Sequence, residues 1–406
     1  LKKILFVSFL DFKEKSIQVI RKTPEAYRDA GWDVRYLVAR DNSTHDNYLY
    51  ERVFDVSGIS IERHILPWNK LINKISNRAL VRILNKSRYL LYVVKYSRLI
   101  VKSFKEKPFD VLYGYEYHGV LACKLALRNR ALKNVKFVSR FQGTFFHEYF
   151  QSGRHLKILA NLDHLFALKT SSDLSIMTND GTQGDKALTR LKSGHLYNMK
   201  FLVNGVSDFP FTKREVLNLG KGIRILTVSR IVGWKRLDRV VNICSSLLTS
   251  GFTDFSLTMV GDGPEKEAIQ KRIKEKGLEN HISMAGSLPH HEINERLRDS
   301  DVFFSFYDSS NVGNPLLEAI RANKIIFTLN NGDTGSWIKH RENGFIYNPE
   351  EDFEKAVCTD LVELSRSPVL SKLIIKGIAE TEKSKLWTWE ERFNYEIESV
   401  EALLDS

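Results

Sequence analysis

The chain has 406 residues, 43% hydrophobic, 11% aromatic and 27% charged; one hydrophobic core rarely organises so many, and two domains of roughly 200 residues are expected. With 23 Gly and 9 Pro it is neither low-complexity nor disordered, and its three scattered cysteines, Cys123, Cys244 and Cys358, fit a reducing compartment rather than a disulfide scaffold or a zinc site. The net charge of +12 is unevenly placed: residues 1–220 carry 37 Lys+Arg against 20 Asp+Glu (+17), residues 221–406 carry 24 against 29 (−5). That is no general coat for nucleic acid; it points one lobe at a polyanion or an anionic membrane.

In chain order, short β-branched or aromatic runs alternate with longer helical patterns, the signature of α/β units with mainly parallel sheets. Strands are expected at Lys3 to Phe9, Val34 to Val38, Val111 to Tyr115, Lys136 to Phe141, Leu174 to Thr178 and around Lys200 to Val203. After a polar, glycine-terminated linker at Lys213 to Gly222, strands follow at Arg224 to Val228, Ser256 to Val260, Ile282 to Ala285, Val302 to Phe306 and Lys324 to Thr328. The last stretch, Trp387 to Leu404, is amphipathic, with Trp389, Phe393, Ile397, Val400 and Leu404 at spacings of three and four. No apolar run approaches ~20 residues, so no span is expected, and the opening Leu-Lys-Lys-Ile-Leu-Phe-Val has too short a core for a signal peptide. Two Rossmann-like domains facing across a cleft are the expected fold, with chemistry on the loops at the carboxyl ends of the strands.

Two such loops stand out. Val228-Ser229-Arg230-Ile231-Val232-Gly233-Trp234-Lys235 closes the first strand of the second half, and its two cations beside a helix start suit a diphosphate, although solvated loop charges are the plain alternative. Tyr307 to Ala319 is a small-residue loop opening a helix: Gly313 allows close approach, Pro315 suits the first turn, and N–H groups near Val312, Gly313 and Asn314 can face an anion. Glu318 then either accepts bonds from ribose hydroxyls or merely complements the helix dipole. Val260-Gly261-Asp262-Gly263-Pro264-Glu265 is a tight strand-to-helix turn rather than a dinucleotide fingerprint, since Lys266 occupies the position that needs a small residue. No P-loop is present.

Asn204-Gly205-Val206, Ser229-Arg230 with Lys235, Val260 to Gly263, Gly286-Ser287-Leu288, Leu316 to Ala319, Glu342-Asn343-Gly344-Phe345 and the closing Trp389-Glu390 together resemble the retaining GT-B glycosyltransferases of family 4. The resemblance covers about 200 residues; the first half matches only in strand layout and in fragments such as Gln142-Gly143-Thr144. It implies a nucleotide-sugar donor in the C-terminal domain and an acceptor in the N-terminal one, divided as residues 1–212, 213–385 and a returning helix at 386–406. Arg230 and Lys235 would stabilise the leaving diphosphate, with no cofactor and no metal. Glu318 would hold the ribose, Gly286, Ser287 and Leu288 would line the base, and Ser310, Asn311, Val312, Gly313, Asn314 and Gln142 would complete the donor site. Three positions depart from the pattern. Ser310 stands where the family's first motif glutamate touches the transferred sugar, with Asp308 or Asn311 as substitutes. Gln142 stands for a frequent histidine, and the first loop, Phe9 to Ser16, carries Asp11 and Lys13 instead of glycines. His118 and His147 are titratable residues of the N-terminal half and are read as structural rather than catalytic.

Between Lys70 and Lys107 the chain holds eleven Lys+Arg and one acid, Glu106. Lys70, Lys74, Arg78, Arg82 and Lys86 recur at four-residue spacing, which on one helix makes a cationic stripe; Leu90 to Ile100 is expected to form a second, more apolar helix. The stripe suits an anionic leaflet or an anionic, pyrophosphate-linked acceptor, and nucleic acid ranks below both because no aromatic stacking platform interleaves it. The sequence thus leads to a retaining glycosyltransferase at the cytoplasmic face of a membrane, bound peripherally, moving a sugar from a UDP- or GDP-linked donor to a lipid-linked or glycan acceptor in envelope or capsular polysaccharide synthesis. Another GT-B enzyme, such as an epimerase, or a non-catalytic nucleotide-sugar binder is the alternative.

Overall fold

The computed structural model describes residues 1–10, 18–40, 53–72, 74–192, 198–209, 211 and 222–405. It forms two compact units. The first comprises Leu1–Asn179, Gly184–Leu202 and Glu390–Ser406, the second Asp180–Gln183 and Val203–Trp389. Asp11, Lys13 and most of the expected linker lie outside the described residues.

Unit 1 is built on eight strands: β1 (Lys3–Ser8), β2 (Asp33–Arg40), β3 (Val53–Val56), β4 (Ile59–Ile65), β5 (Val111–Tyr115), β6 (Lys136–Phe141), β7 (Leu174–Thr178) and β8 (Met199–Leu202). Their order is β3-β4-β2-β1-β5-β6-β7-β8. Every pairing is parallel except β3 with β4. The central strands are buried on both faces, which is why they read as unbroken apolar runs. The β3–β4 hairpin escaped the sequence reading because β3 is only four residues long and β4 is interrupted by the polar run Glu62-Arg63-His64; Ser57 and Gly58 turn it with φ of 52° and 79°, the geometry of a two-residue hairpin loop.

The C-terminal helix Trp389–Leu404 joins this unit from Glu390 onward and is fixed there by charge. Glu396 accepts a hydrogen bond from Tyr113 Oη at 2.7 Å and pairs with Arg140 at 2.5 Å and Arg392 at 2.7 Å, all three ionic side chains being fully buried. The two guanidinium groups hold the Glu396 carboxyl below its ordinary range against the opposing effect of burial.

The basic stretch folds differently from expectation. Asn77 Oδ1 accepts from Ala79 N and Leu80 N, an N-cap that starts a new helix. Lys70 therefore belongs to the short helix Asn69–Ile72, Lys74 to the turn between, and only Arg78, Arg82 and Lys86 to the long helix Arg78–Glu106. No single stripe of five cations exists, and Leu90 to Ile100 continues the same 29-residue helix instead of forming a second.

Unit 2 has strands β9 (Ile223–Val228), β10 (Phe255–Val260), β11 (Ile282–Gly286), β12 (Val302–Ser305), β13 (Ile325–Leu329) and β14 (Phe345–Tyr347). They run in the order β11-β10-β9-β12-β13-β14, all parallel. The order reverses between β9 and β12, so the loops after these two strands border the crevice where ligands of open α/β sheets bind. Helices cover both faces of the sheet, one apolar layer centred on Val240, Val241 and Cys244 and the other on Leu316, Leu317 and Ile320.

Candidate functional site

The site of unit 2 grows from the β9 and β12 loops. After β9 the chain passes Ser229 and Arg230 into a single helical turn, Gly233–Lys235, and Arg236 takes a left-handed φ of 48° before the helix Leu237–Thr249. This path is pinned against the turn after β10. Ile231 N donates to Asp262 O at 2.9 Å and Glu265 N to Ile231 O at 3.2 Å. Gly261 has φ of 138°, and a Cβ on it would lie 1.8 Å from Ser229 O, so no other residue fits. The Gly261-Asp262-Gly263 segment is thus a buttress for the Arg230 loop.

The two loops are sewn to one another. Tyr307 Oη donates to Val228 O at 3.2 Å, Asp308 N to Trp234 O at 3.0 Å, and Asp308 receives Arg236 at 3.1 Å and Arg239 at 2.8 Å. Lys235 lies where they meet, its Nζ 3.6 Å from the Tyr307 ring centroid and 4.0 Å from that of Trp234. Burial pushes its ammonium down to about 7, Arg230 adds to the fall, and Asp180 opposes it. Arg230 itself is exposed. A desolvated amine and an exposed guanidinium acting on one another make a strong local demand for an anion.

The expected donor residues divide in two. Ser310 and Asn311 act within the loop. Ser310 Oγ donates to Asp180 O at 2.6 Å and accepts from Val312 N at 3.1 Å. Asn311 is buried, accepts from Ser305 Oγ at 2.9 Å and Tyr307 N at 3.0 Å, and donates to Leu329 O at 3.3 Å. With Asp308 held by two arginines, neither substitute expected for the missing glutamate has an idle polar end. Val312 is buried in the core. Gly313 caps the helix Asn314–Arg321, with Pro315 in its first turn; a Cβ at Gly313 would meet only Pro315 Cδ, at 3.9 Å, and one at Gly286 nothing within 4 Å, so both glycines border open space. Asn314 Oδ1 accepts from Asn204 Nδ2 at 2.8 Å. Ser287 is exposed and Leu288 half-buried on the loop after β11. Glu318, largely buried, lies 3.0 Å from His290 Nε2.

Three contributors were not singled out in the sequence. His290 opens the helix His290–Asp299 and orients Glu318. Tyr307 forms one wall around Lys235. Asp180 follows β7 in the chain and enters unit 2 through Gly181, whose Cβ would lie 1.9 Å from Ser310 Oγ. Its Oδ1 accepts from Thr182 N at 3.1 Å and Thr182 Oγ1 at 2.5 Å. Burial raises the Asp180 carboxyl to about 6, with the Asp333 charge adding to the rise and the Thr182 bonds opposing it. An acid followed by glycine after an apolar strand was the available signal.

Gln142 belongs to unit 1, where its N–H donates to Glu116 Oε1 at 2.7 Å and its side-chain amide to Tyr115 Oη. Of the basic stretch, Lys74 and Arg82 are exposed, but Lys86 pairs with Asp163 at 2.7 Å and Arg88 is buried. The Lys70 and Arg78 side chains lie outside what the structure describes.

Two Rossmann-like, predominantly parallel sheets define a GT-B architecture. Residues 208–362 match the family model of the glycosyl transferases group 1. The chain is 27% identical over 142 residues to a 2-deoxystreptamine N-acetyl-D-glucosaminyltransferase of Niallia circulans, a match covering 35% of this chain and 36% of that relative. It is 25% identical over 289 residues to the amylovoran biosynthesis glycosyltransferase AmsK of Erwinia amylovora, covering 68% and 67%. With the first of these relatives the chain thus aligns over only about a third of the relative's length. Among solved structures, a sucrose-phosphate synthase of Thermosynechococcus elongatus superposes with a TM-score of 0.73 at 13% identity over 100% of both chains. Anabaena HepE in complex with UDP superposes at 0.69 and 15% over 98% of this chain and 100% of that one. At such identities these two likenesses speak for the fold.

Proposed function

We propose that the chain is a retaining glycosyltransferase, of the family 4 type, that moves a sugar from a nucleoside diphosphate-sugar to a lipid-linked or glycan acceptor during polysaccharide assembly. The observation that carries this reading is that Arg230 and Lys235 on the loop after β9, and the helix N-terminus at Gly313 on the loop after β12, follow the two strands at which the sheet order reverses. These groups suit a diphosphate whose charge grows as the sugar departs. Preorganised cations and backbone donors stabilise such charge without a metal. Glu318, bonded to His290, would accept from ribose hydroxyls, and the backbone at Gly286 to Leu288 would border the base. The Asp180 carboxyl, beside Lys235, takes the sugar-facing role that Ser310 cannot. UDP is the donor nucleotide favoured, since HepE is described in complex with UDP and with UDP-glucose, and the polysaccharide setting follows from relatives such as AmsK.

Acceptor and membrane docking fall to unit 1. Leu80, Ile83, Leu90, Leu91 and Val94 are exposed on the long helix, at spacings that set them on one face, and exposed Arg82, Lys95, Arg98 and Lys102 flank them. Among the described residues no helix is long and apolar enough to cross a membrane. An apolar stripe edged with cations instead suits peripheral adsorption to an anionic leaflet.

Incubation with UDP- and GDP-hexoses, without added metal and with a polyprenyl-phosphate-linked acceptor, tests the activity. Release of nucleoside diphosphate with retained anomeric configuration supports it; nucleotide binding without turnover would instead establish the non-catalytic binder that a serine at position 310 favours.

A further inference from the structure

Two helices of unit 1, Glu116–Ala126 and Leu162–Lys169, bring His118, Asp163 and His164 together. One ligand atom from each lies within 4.8 Å of the others; His118 Nε2 is 3.1 Å and His164 Nε2 3.8 Å from Asp163 Oδ2. Four-coordinate zinc binds at ~2.0–2.2 Å to nitrogen and oxygen, so neighbouring ligands of one ion stand roughly 3.3–3.5 Å apart. The two histidine–carboxylate separations differ from this by a few tenths of an ångström, and the two imidazoles have ligand atoms within 4.8 Å of one another.

The surroundings hold the three side chains in place. His118 stacks on Tyr89 at 4.8 Å and 13°, and His164 on Tyr117 at 3.9 Å and 5°. Lys86 Nζ binds Asp163 Oδ1 at 2.7 Å, fixing the carboxylate so that its other oxygen turns to the histidines. A hydrogen-bonded partner on the second carboxylate oxygen is the usual support of a metal ligand. Exposures of 13% for His118, 8% for Asp163 and 30% for His164 leave a path to solvent. His164, the next residue in the chain, brings a second imidazole nitrogen toward the same oxygen.

We propose that His118, Asp163 and His164 form a binding site for a divalent transition metal, with zinc the best fit to two imidazoles and one carboxylate. Three protein ligands leave a further position for water or an anionic oxygen. The site is independent of the donor chemistry assigned to unit 2, and it runs against the sequence expectation of no metal. Spacing gave no hint of it, because the third ligand comes from 45 residues upstream.

The test is titration of the full-length, chelator-stripped protein with Zn2+ by calorimetry and with Co2+ by visible absorption. One ion per chain is expected, with the intense bands of four- or five-coordinate cobalt. His118→Ala, Asp163→Asn and His164→Ala should each lower zinc affinity at least tenfold, while His155→Ala, at an exposed histidine, should not change it. Should the alanine variants fail to fold, by circular dichroism, the cobalt spectra of Asp163→Asn and His164→Gln decide. Less than half an ion per chain, octahedral cobalt only, or equal loss in His155→Ala would overturn the site.

Discussion

Unit 1 has cations in plenty and spends many of them on buried or surface ion pairs, whereas the sequence of unit 2 is poor in net positive charge and sets two cations on the loop after β9. In unit 1, Arg88, Arg140 and Arg392 are buried, Lys86 serves Asp163, and Lys107 pairs with Asp33 at 2.6 Å. In unit 2, Lys235 is held in a desolvated aromatic setting that an incoming anion would relieve. Bulk charge and the desolvation of a particular amine thus point to different units, and the proposed donor site rests on the second signal.

The comparison can be broken first through the buried charge of unit 1. Glu396→Ala strands two buried arginines, and breaking such a cluster costs about 3–5 kcal/mol; urea unfolding should show that loss, and a change under about 1 kcal/mol would mean the cluster is not a structural one. Exposed cations should act at the membrane instead. Replacing Lys74, Arg82 and Lys95 together by Gln should weaken adsorption to anionic vesicles roughly 100-fold, at about 1 kcal/mol for each, with folding stability unaltered. Flotation that is equally strong on neutral vesicles would refute that role. In unit 2 a single charge should matter as much for ligand. Arg230→Ala should reduce nucleoside diphosphate affinity about 10- to 100-fold, the loss of one charge-assisted contact of roughly 1.5–3 kcal/mol, read by calorimetry.

The smallest effect is the pH dependence. Lys235, lowered to about 7, is largely neutral at pH 8, so in the free protein the cost of its charge is present below about 7 and relieved as pH rises toward its ordinary value. A bound diphosphate favours the charged form. Affinity should then fall about fivefold from pH 7 to pH 8, with proton uptake on binding that Lys235→Met abolishes. Ionisation of Asp180 near 6 pushes the same way at lower pH. A flat profile would sever the link between desolvation and anion demand.

Much of the fold could be read from sequence because both sheets are parallel and buried, so their strands appear as apolar runs; all eleven expected strands correspond to observed ones. The β3–β4 pair was missed because β3 is short and β4 carries a polar run, and β14 for its three-residue length. The basic stretch misled because periodicity in charge carries across a cap: Asn77 breaks the helix while the four-residue spacing continues. At the candidate site, glycines and cations on strand-end loops were legible as motifs, yet contacts were not. That Asn311 is a brace, that Ser310 bonds Asp180 O from another part of the chain, and that His290 meets Glu318 are facts of tertiary packing that no spacing encodes.

The most direct test is a titration of UDP and GDP into wild-type protein, Arg230→Ala and Lys235→Met, in the presence of chelator. The account predicts one-site binding of at least one nucleoside diphosphate to the wild type, weakened at least tenfold in either variant. No binding by the wild type, or binding indifferent to both substitutions, would contradict it.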